Sequence, residues 1–313
     1  MAEGRAVVVG AAGFVGRHLC ARLAHGGWQV TAVTRRRERA RALLPLPTLE
    51  VAEIDAGDTS ALARVASGAD AIVNLAGIIN EAGGAKFADA HVAVTRSCVA
   101  AAVDAGVRRL LHMSALGADA GGPSRYQRSK GEAEAIVASS PLDWTIFRPS
   151  VIFGPDDAFL NMFARVLRMV PVLALASPTT RFQPVYVGDV AECFARALSL
   201  PATIHGRFDL GGPGVYTLLE LVRYVGELAG CPRPVMTLGP TLSKLQATVL
   251  EFLPGKVMTR DNLASMQRDS VCAGGFPKVF GVVPTPLEAV APSYLSGGAQ
   301  RGAFDAFRTR SGR

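Results

Sequence analysis

The chain has 313 residues, a hydrophobic fraction of 49%, a charged fraction of 19% and a formal net charge of +7. Such a chain is long enough for an α/β core with a second, smaller lobe, and too apolar to be disordered or fibrous. Its five cysteines (Cys20, Cys98, Cys193, Cys231 and Cys272) are scattered and form no C-x-x-C pair, which argues for a reducing compartment and against a disulfide framework or a metal site. The basic residues are mostly arginines dispersed along helices without interleaved aromatics, the pattern of a solvated surface rather than a nucleic-acid interface. No secretory signal precedes the first strand, and the apolar stretch 159–176 is interrupted by Arg165, Arg168 and Pro171, so no transmembrane helix is expected. The expected location is cytoplasmic.

Val7-Val8-Val9 reads as a buried strand that breaks into Gly10-Ala11-Ala12-Gly13-Phe14-Val15-Gly16, after which helical periodicity runs through Leu19, Cys20 and Leu23. The glycine spacing differs by one residue from the G-x-G-x-x-G dinucleotide fingerprint, but the physics is the same. One glycine permits a tight turn, the next lets backbone approach a diphosphate, and the third lets helix and strand pack closely. Gly10, Ala12, Gly13, Phe14, Val15 and Gly16 are therefore the expected diphosphate cradle at a helix N-terminus. The alternative is an ordinary strand-to-helix turn.

A second strand over 28–33 ends at Thr34-Arg35-Arg36-Arg37. An NAD-preferring βαβ unit carries an acid there for the ribose 2′-hydroxyl; arginines at this position suit a 2′-phosphate instead. Thr34, Arg35 and Arg36 thus predict a preference for NADP(H), with NAD(H) as the other possible cofactor, against the alternative of an exposed Arg-rich helix face. A third strand over 49–54 leads to Asp55 and Ala56, and a fourth over 69–75 ends at Leu75-Ala76-Gly77. A long Ala/Val-rich helix over 89–105 precedes a fifth strand over 109–114, which carries Met113 and Ser114. A sixth strand over 144–148 closes at Pro149-Ser150-Val151. Alternating strands and helices imply a Rossmann-like, doubly wound parallel sheet, with ligands beyond the carboxyl ends of its strands. These strand-end residues, Ser114 apart, are expected cofactor contacts.

Tyr126 and Lys130 make a Y-x-x-x-K pair, which puts both on one helix face. A nearby ammonium is expected to lower the phenol's pKa, and Ser114 at the neighbouring strand end is placed to hold a carbonyl oxygen. Ser114, Tyr126 and Lys130 are the expected acid/base group, with Tyr126 and Lys130 also touching the cofactor. The alternative is a Tyr packed on the sheet edge and a surface Lys130–Glu134 pair.

Taken together, G10-A-A-G-F-V-G16, N74-L-A-G77, Ser114 and Y126-Q-R-S-K130 resemble the short-chain dehydrogenase/reductase superfamily, and F147-R-P-S-V-I-F-G154 resembles its extended and atypical branches. H112-M-S-A-L-G-A118, Y126-Q-R-S-K-G-E-A-E134, F182-Q-P-V-Y-V-G-D-V190 and M258-T-R-D-N-L263 are similar to the nucleotide-binding accessory subunit of respiratory complex I and its bacterial relatives; the similarity spans about residues 5–290. The superfamily resemblance implies NAD(P)-dependent oxidoreduction, epimerisation or dehydration. The narrower one implies tightly held NADPH without turnover, a membrane-associated protein partner and a peripheral place at the inner membrane. His91 departs from the superfamily, which often has Asn there, so the usual relay water is expected to be held differently.

Residues 1–150 are expected to form the dinucleotide-binding core, with 181–212 rejoining it, 151–180 and 213–295 a smaller, partly helical lobe for substrate or partner, and 296–313 a basic mobile tail. The apolar face Phe159–Val170 reads as core or substrate groove, Thr217 and Glu220 as a capping box, and Pro184–Val187 as a short strand rejoining the sheet. Leu242, Leu245, Val249, Leu250, Phe252 and Leu253 fall on one stripe that either packs on the lobe or forms an apolar lid or docking face. An apolar second lobe favours a lipid-like or quinone-like small molecule as substrate over a nucleotide sugar.

Overall fold

The structure, a computed structural model, describes residues 3–81, 83–251 and 258–296. The first half alternates strand and helix: β1 (Arg5–Val9), α1 (Phe14–His25), β2 (Gln29–Thr34), β3 (Leu49–Glu53), α2 (Thr59–Ala66), β4 (Ala71–Asn74), α3 (Val94–Asp104), β5 (Arg109–Met113), α4 (Arg125–Ala138) and β6 (Asp143–Pro149). The chain continues with β7 (Ile152–Phe153), α5 (Phe159–Met169), β8 (Leu173–Leu175), β9 (Arg181–Phe182), β10 (Val185–Tyr186), α6 (Val187–Leu198), β11 (Gly206–Leu210), β12 (Tyr216–Thr217), α7 (Leu218–Leu228), β13 (Val235–Thr237), α8 (Pro240–Glu251), α9 (Arg260–Ser265) and α10 (Leu287–Leu295).

Seven strands form one parallel sheet in the order β11-β6-β5-β4-β1-β2-β3. The order reverses between β1 and β4, and the crevice at that switch point, beyond the carboxyl ends, is where open α/β sheets take ligands. β1 reads as a continuous apolar run because both of its faces are covered: Ala6, Val7, Val8 and Val9 are 0–1% exposed. On one side of the sheet Val7, Ile72, Leu110 and Ile146 pack with Leu62, Cys98, Ala101 and Val137 from helices. Rossmann-like α/β architecture is thus what the alternating pattern produces.

The chain divides into two compact units. The first takes the described residues of 3–150 together with Val187–Gly211 and Cys272–Val283; the second takes Val151–Tyr186 and the described residues of 212–271 and 284–296. The return of β11 to the sheet edge beside β6 falls within the stretch expected to rejoin. The return at Cys272–Val283 carried no signal in the sequence; there Phe280 is 2% exposed and its ring lies 5.5 Å from that of Phe147 and 4.9 Å from that of Phe208. Pro184–Val187 does not rejoin the large sheet. Val185 and Tyr186 pair instead with Ile152 and Phe153 in a two-stranded sheet, and Val187 opens α6. Pro184 has no N–H for a central ladder, and the strand is two residues long, so only a short local pairing is available.

In the second unit, Leu160, Phe163, Ala164 and Leu167 of α5 pack with Leu218, Leu221, Val222 and Val225 of α7, so the α5 stripe is core. The Thr217–Glu220 capping box is present, with the Thr217 N–H donating to Glu220 Oε2 at 2.7 Å. Phe252, Leu253 and residues 297–313, which hold the expected tail, lie outside the described residues.

Candidate active site

The glycine turn is built by close approach. Gly10 has φ +83°, and a Cβ there would lie 2.9 Å from the Leu75 carbonyl carbon, so the ends of β1 and β4 touch through backbone. A Cβ on Gly16 would sit 2.3 Å from the Gly10 oxygen, which explains how α1 seats against the turn. At Gly13, the N-cap, a Cβ would meet only the Gly10 oxygen, at 3.1 Å. No side chain caps α1 and no acid stands in its first turn. Its leading N–H groups are therefore directed at the crevice with the positive end of the helix dipole, a fit for a diphosphate held by Ala12, Gly13, Phe14 and Val15.

At the end of β2, the Thr34 hydroxyl donates to the Arg36 carbonyl at 3.1 Å, shaping a turn on which Arg35 and Arg36 are exposed. No ion pair engages either guanidinium among the described residues. Asp55 Oδ1 accepts the Gly57 N–H at 2.9 Å, and Ala56 lies in that same turn. Asp58 is occupied as the α2 N-cap, accepting from Ala61 N–H at 2.9 Å.

The β4 end is held by Asn74, whose Oδ1 accepts the Ala76 N–H at 3.0 Å while its amide donates to Thr95 Oγ1 at 3.0 Å and lies 3.3 Å from His112 Nδ1. Leu75 N–H donates to Val9 C=O at 2.9 Å. Gly77 is the meeting point of the site: a Cβ there would stand 3.1 Å from Lys130 Nζ and 3.4 Å from His91 Nε2. On β5, Lys130 Nζ donates to the Met113 carbonyl at 3.1 Å. Ser114 N–H donates to Phe147 C=O at 2.8 Å, but its buried hydroxyl has no hydrogen-bond partner among the described residues. An orphaned buried hydroxyl at a strand's carboxyl end fits a ligand oxygen.

Helix α4 starts at the Ser124 cap, which accepts from Gln127 N–H at 3.0 Å and puts Tyr126 in the first turn with Lys130 one turn on. The half-buried Tyr126 ring stands edge-on to Phe87 at 5.8 Å and to His91 at 5.5 Å. One electrostatic expectation changes here. Burial pushes the Tyr126 phenol up to about 12, where an ammonium-lowered value was expected; desolvation outweighs a cation that is engaged with the Met113 carbonyl. Lys130, 3% exposed, is brought down to about 8 by burial, opposed by Glu134. Nor does a surface Lys130–Glu134 pair form, because Arg148 grips Glu134 with Nε at 2.8 Å and Nη2 at 2.5 Å.

His91 sits in a π-wound turn, Ala88–Ala93, that leads into α3 where an unbroken helix was expected. Such turns recur at functional sites. Its Nδ1 is 2.8 Å from Ser129 Oγ, which donates to the Tyr126 carbonyl at 2.8 Å; its Nε2 is 3.1 Å from both N and O of Ile78. Burial and the Lys130 charge bring His91 down to about 3, and His112 likewise to about 3, so both rings are neutral at pH 7. Asn74, His112 and Ser129 fall within the motifs that carry the family resemblance, but no site role is read for them, because each is an ordinary residue type within a strand or helix.

Pro149 ends β6 with its carbonyl accepting from Leu116 N–H at 2.9 Å, and the buried Ser150 donates its N–H to Leu210 C=O at 2.9 Å. Val151 begins the second unit, its carbonyl accepting from Val185 N–H at 3.0 Å. The remaining expected contacts, from Gly10 to Ser150, and the acid/base trio all lie in the first unit. Among the described residues no group of three or more His, Cys, Asp and Glu is placed to hold a metal, and no helix is long and apolar enough to cross a membrane.

An NAD(P)H-binding family model matches residues 10–158. The rat mitochondrial NADH dehydrogenase [ubiquinone] 1 alpha subcomplex subunit 9 is 32% identical over 90% of this chain and 77% of its own length. The chain belongs to the family of this complex I subunit. A Caulobacter vibrioides ceramide reductase in the same family is 30% identical over 90% of this chain and 92% of its own. By fold, the NADPH-dependent quinone oxidoreductase of Escherichia coli, solved with NADPH, superposes with a TM-score of 0.74 at 20% identity, covering 93% of this chain and 99% of that one. This family member therefore carries an NAD(P)H-binding domain of oxidoreductase type.

Proposed function

We propose that this chain is an NADP(H)-dependent oxidoreductase that reduces the carbonyl of an apolar, lipid-like or quinone-like molecule. The observation that carries the reading is the orphaned Ser114 hydroxyl on the same strand end whose Met113 carbonyl holds the buried Lys130 ammonium. A purely structural site has no use for a buried cation and an unpaired hydroxyl, each of which costs stability. When bound, the dinucleotide supplies the hydride.

The chain's own groups do the rest. The leading N–H groups of α1 neutralise the diphosphate, and Arg35 and Arg36 meet a 2′-phosphate. Ser114 donates a hydrogen bond to the substrate carbonyl oxygen and orients it. Tyr126, protonated at pH 7 with its pKa near 12, passes its phenolic proton to that oxygen as negative charge develops there, and solvent restores the proton. Lys130, mainly charged at pH 7 with its pKa near 8, stabilises the resulting phenolate and would hold the ribose of a bound dinucleotide. The protonated phenol is the form that can donate a proton in the reducing direction. The ceramide reductase relative supports a lipid carbonyl in particular, and a location in the cytoplasm, peripheral at the inner membrane, is consistent with such a substrate.

The test is Tyr126→Phe. NADPH oxidation with long-chain ketones or quinones is expected to fall by about 10²–10⁴-fold while NADPH still binds. An unchanged rate removes the catalytic role. The likeness to the complex I subunit favours a second reading, a non-catalytic NADPH-holding accessory subunit with a membrane-associated protein partner. NADPH retained through purification, together with no turnover of any carbonyl by the wild type, would select it. A nucleotide-sugar epimerase or dehydratase is the third possibility, distinguished by turnover of sugar nucleotides without net NADPH consumption.

A further inference from the structure

We propose that the outer face of α8, with the adjoining β8/β13 pair and the end of α5, seats this protein on an anionic lipid surface, a role independent of whether Tyr126 turns over. Helix α8 is inverted relative to an ordinary surface helix. Its buried positions are Ser243 and Ala247, whereas Leu242, Leu245 and Val249 are 55%, 61% and 55% exposed. Spacings of three and four residues put those aliphatic side chains on one stripe.

The apolar surface continues onto neighbouring elements. Gln246 Nε2 donates to the Ala174 carbonyl at 2.8 Å, which ties α8 to β8. Ala174 registers with Met236 on β13, and the alternation of a strand puts Ala174 and Met236 on the face opposite Leu173, Leu175 and Val235, which pack into the core. Met236 is 56% exposed, Val172 48%, and Met169 at the end of α5 82%. Large apolar side chains concentrated in this way mark an interaction surface.

Charge selects the occupant. The segments that carry the patch, residues 158–180 and 228–250, contain no Asp or Glu, although the chain has 26. Their charged residues are Arg165, Arg168, Arg233 and Lys244, all exposed, with Arg165 and Arg168 on the same outer face of α5 as Met169. The acids that border these segments are Asp157, buried and accepting the Leu160 N–H, Glu227, exposed at the end of α7, and Glu251, held by Arg260 at 2.8 Å. Exposed aliphatic residues on segments whose own charged side chains are all cationic match an interface of acyl chains and anionic headgroups. At 12 residues, α8 is far shorter than a spanning helix and suits a position in the plane of the surface.

The full-length protein is sedimented with vesicles of phosphatidylcholine containing roughly one-third phosphatidylglycerol, and with phosphatidylcholine alone. Binding to the anionic vesicles is expected, weakening as salt is raised. The triple variant Leu242→Ser, Leu245→Ser, Val249→Ser is expected to weaken binding by about tenfold or more. Leu245→Trp, a mild change at an exposed position, provides a readout without loss of apolar surface: its emission should shift to the blue only with anionic vesicles. A chain ending at Ser296 is run alongside, because Arg301, Arg308, Arg310 and Arg313 lie beyond it, and it should still bind. Absence of vesicle binding, equal binding to uncharged vesicles, or binding that is lost with the tail but unchanged in the triple variant overturns the proposal. So does a concentration-dependent dimer that the triple variant abolishes, which would assign the face to a second copy of the chain.

Discussion

His91 links three parts of the site through one neutral ring: the Ile78 backbone beyond β4, Ser129 on α4 and, through that hydroxyl, the Tyr126 carbonyl. Protonation would place a cation in a buried environment already occupied by the Lys130 charge, which is why its pKa falls to about 3. His112 is displaced in the same direction for the same reasons. The unfolded chain takes up these protons near pH 6.5, whereas the folded one does not until about 3. The stability they confer is therefore present above pH 6.5 and lost as pH falls below it, at about 1.4 kcal/mol per pH unit per histidine. Denaturant melts at pH 7 and pH 5.5 should show this slope, and His91→Asn, which keeps an amide for Ile78, should remove about half of it. Lys130 acts in another window. Its depressed value penalises the folded state below pH 8, so stability rises from about pH 8 toward 10.5.

Among the elements, α1 depends most directly on one residue type. Its packing on the first turn leaves no room at Gly16, where a Cβ would fall 2.3 Å from backbone oxygen that cannot yield as a flexible side-chain end would. Gly16→Ala is expected to destabilise by about 3 kcal/mol or more and to lift α1 from the turn, abolishing NADPH binding as read by cofactor fluorescence. Gly13→Ala, which would meet only the Gly10 oxygen, at 3.1 Å, should fold with little loss and weaken binding through its effect on the bound diphosphate. The contrast between the two separates packing from ligand approach. The α3 entry illustrates another limit of local reading: an Ala/Val-rich stretch predicts regular helix, yet its first turn is π-wound around a histidine tied to Ser129 and Ile78.

For the molecule as a whole, cofactor binding is a folding term. A dinucleotide that binds only the folded state raises stability by RT ln(1 + [L]/Kd), about 2.7 kcal/mol at a hundredfold excess over Kd. NADPH should therefore raise the Tm by more than NADH at equal concentration. In the Arg35→Ala, Arg36→Ala variant the two shifts should converge, because the proposed preference rests on these guanidiniums meeting the 2′-phosphate. Equal shifts in the wild type would end the assignment of NADP(H) preference.

Short-range pattern was enough for the alternating elements, the glycine turn, the strand ends and the placement of Tyr126 and Lys130 one turn apart on a helix, because each rests on spacing along the chain and on the steric freedom of glycine. Sequence also marked Thr217 and Glu220 as a capping box, a device complete within four residues. Burial was decided elsewhere. The alternative surface pair of Lys130 with Glu134 is absent because Arg148, 14 residues beyond Glu134, reaches that carboxylate, and desolvation moves the Tyr126 phenol up and the lysine down. Likewise, the α8 stripe was visible as apolar, but only the packing of Ser243 and Ala247 inward turned its leucines to solvent. Periodicity specifies which side chains share a face; which way that face points, and how much water its charges retain, depend on contacts between residues far apart in the chain.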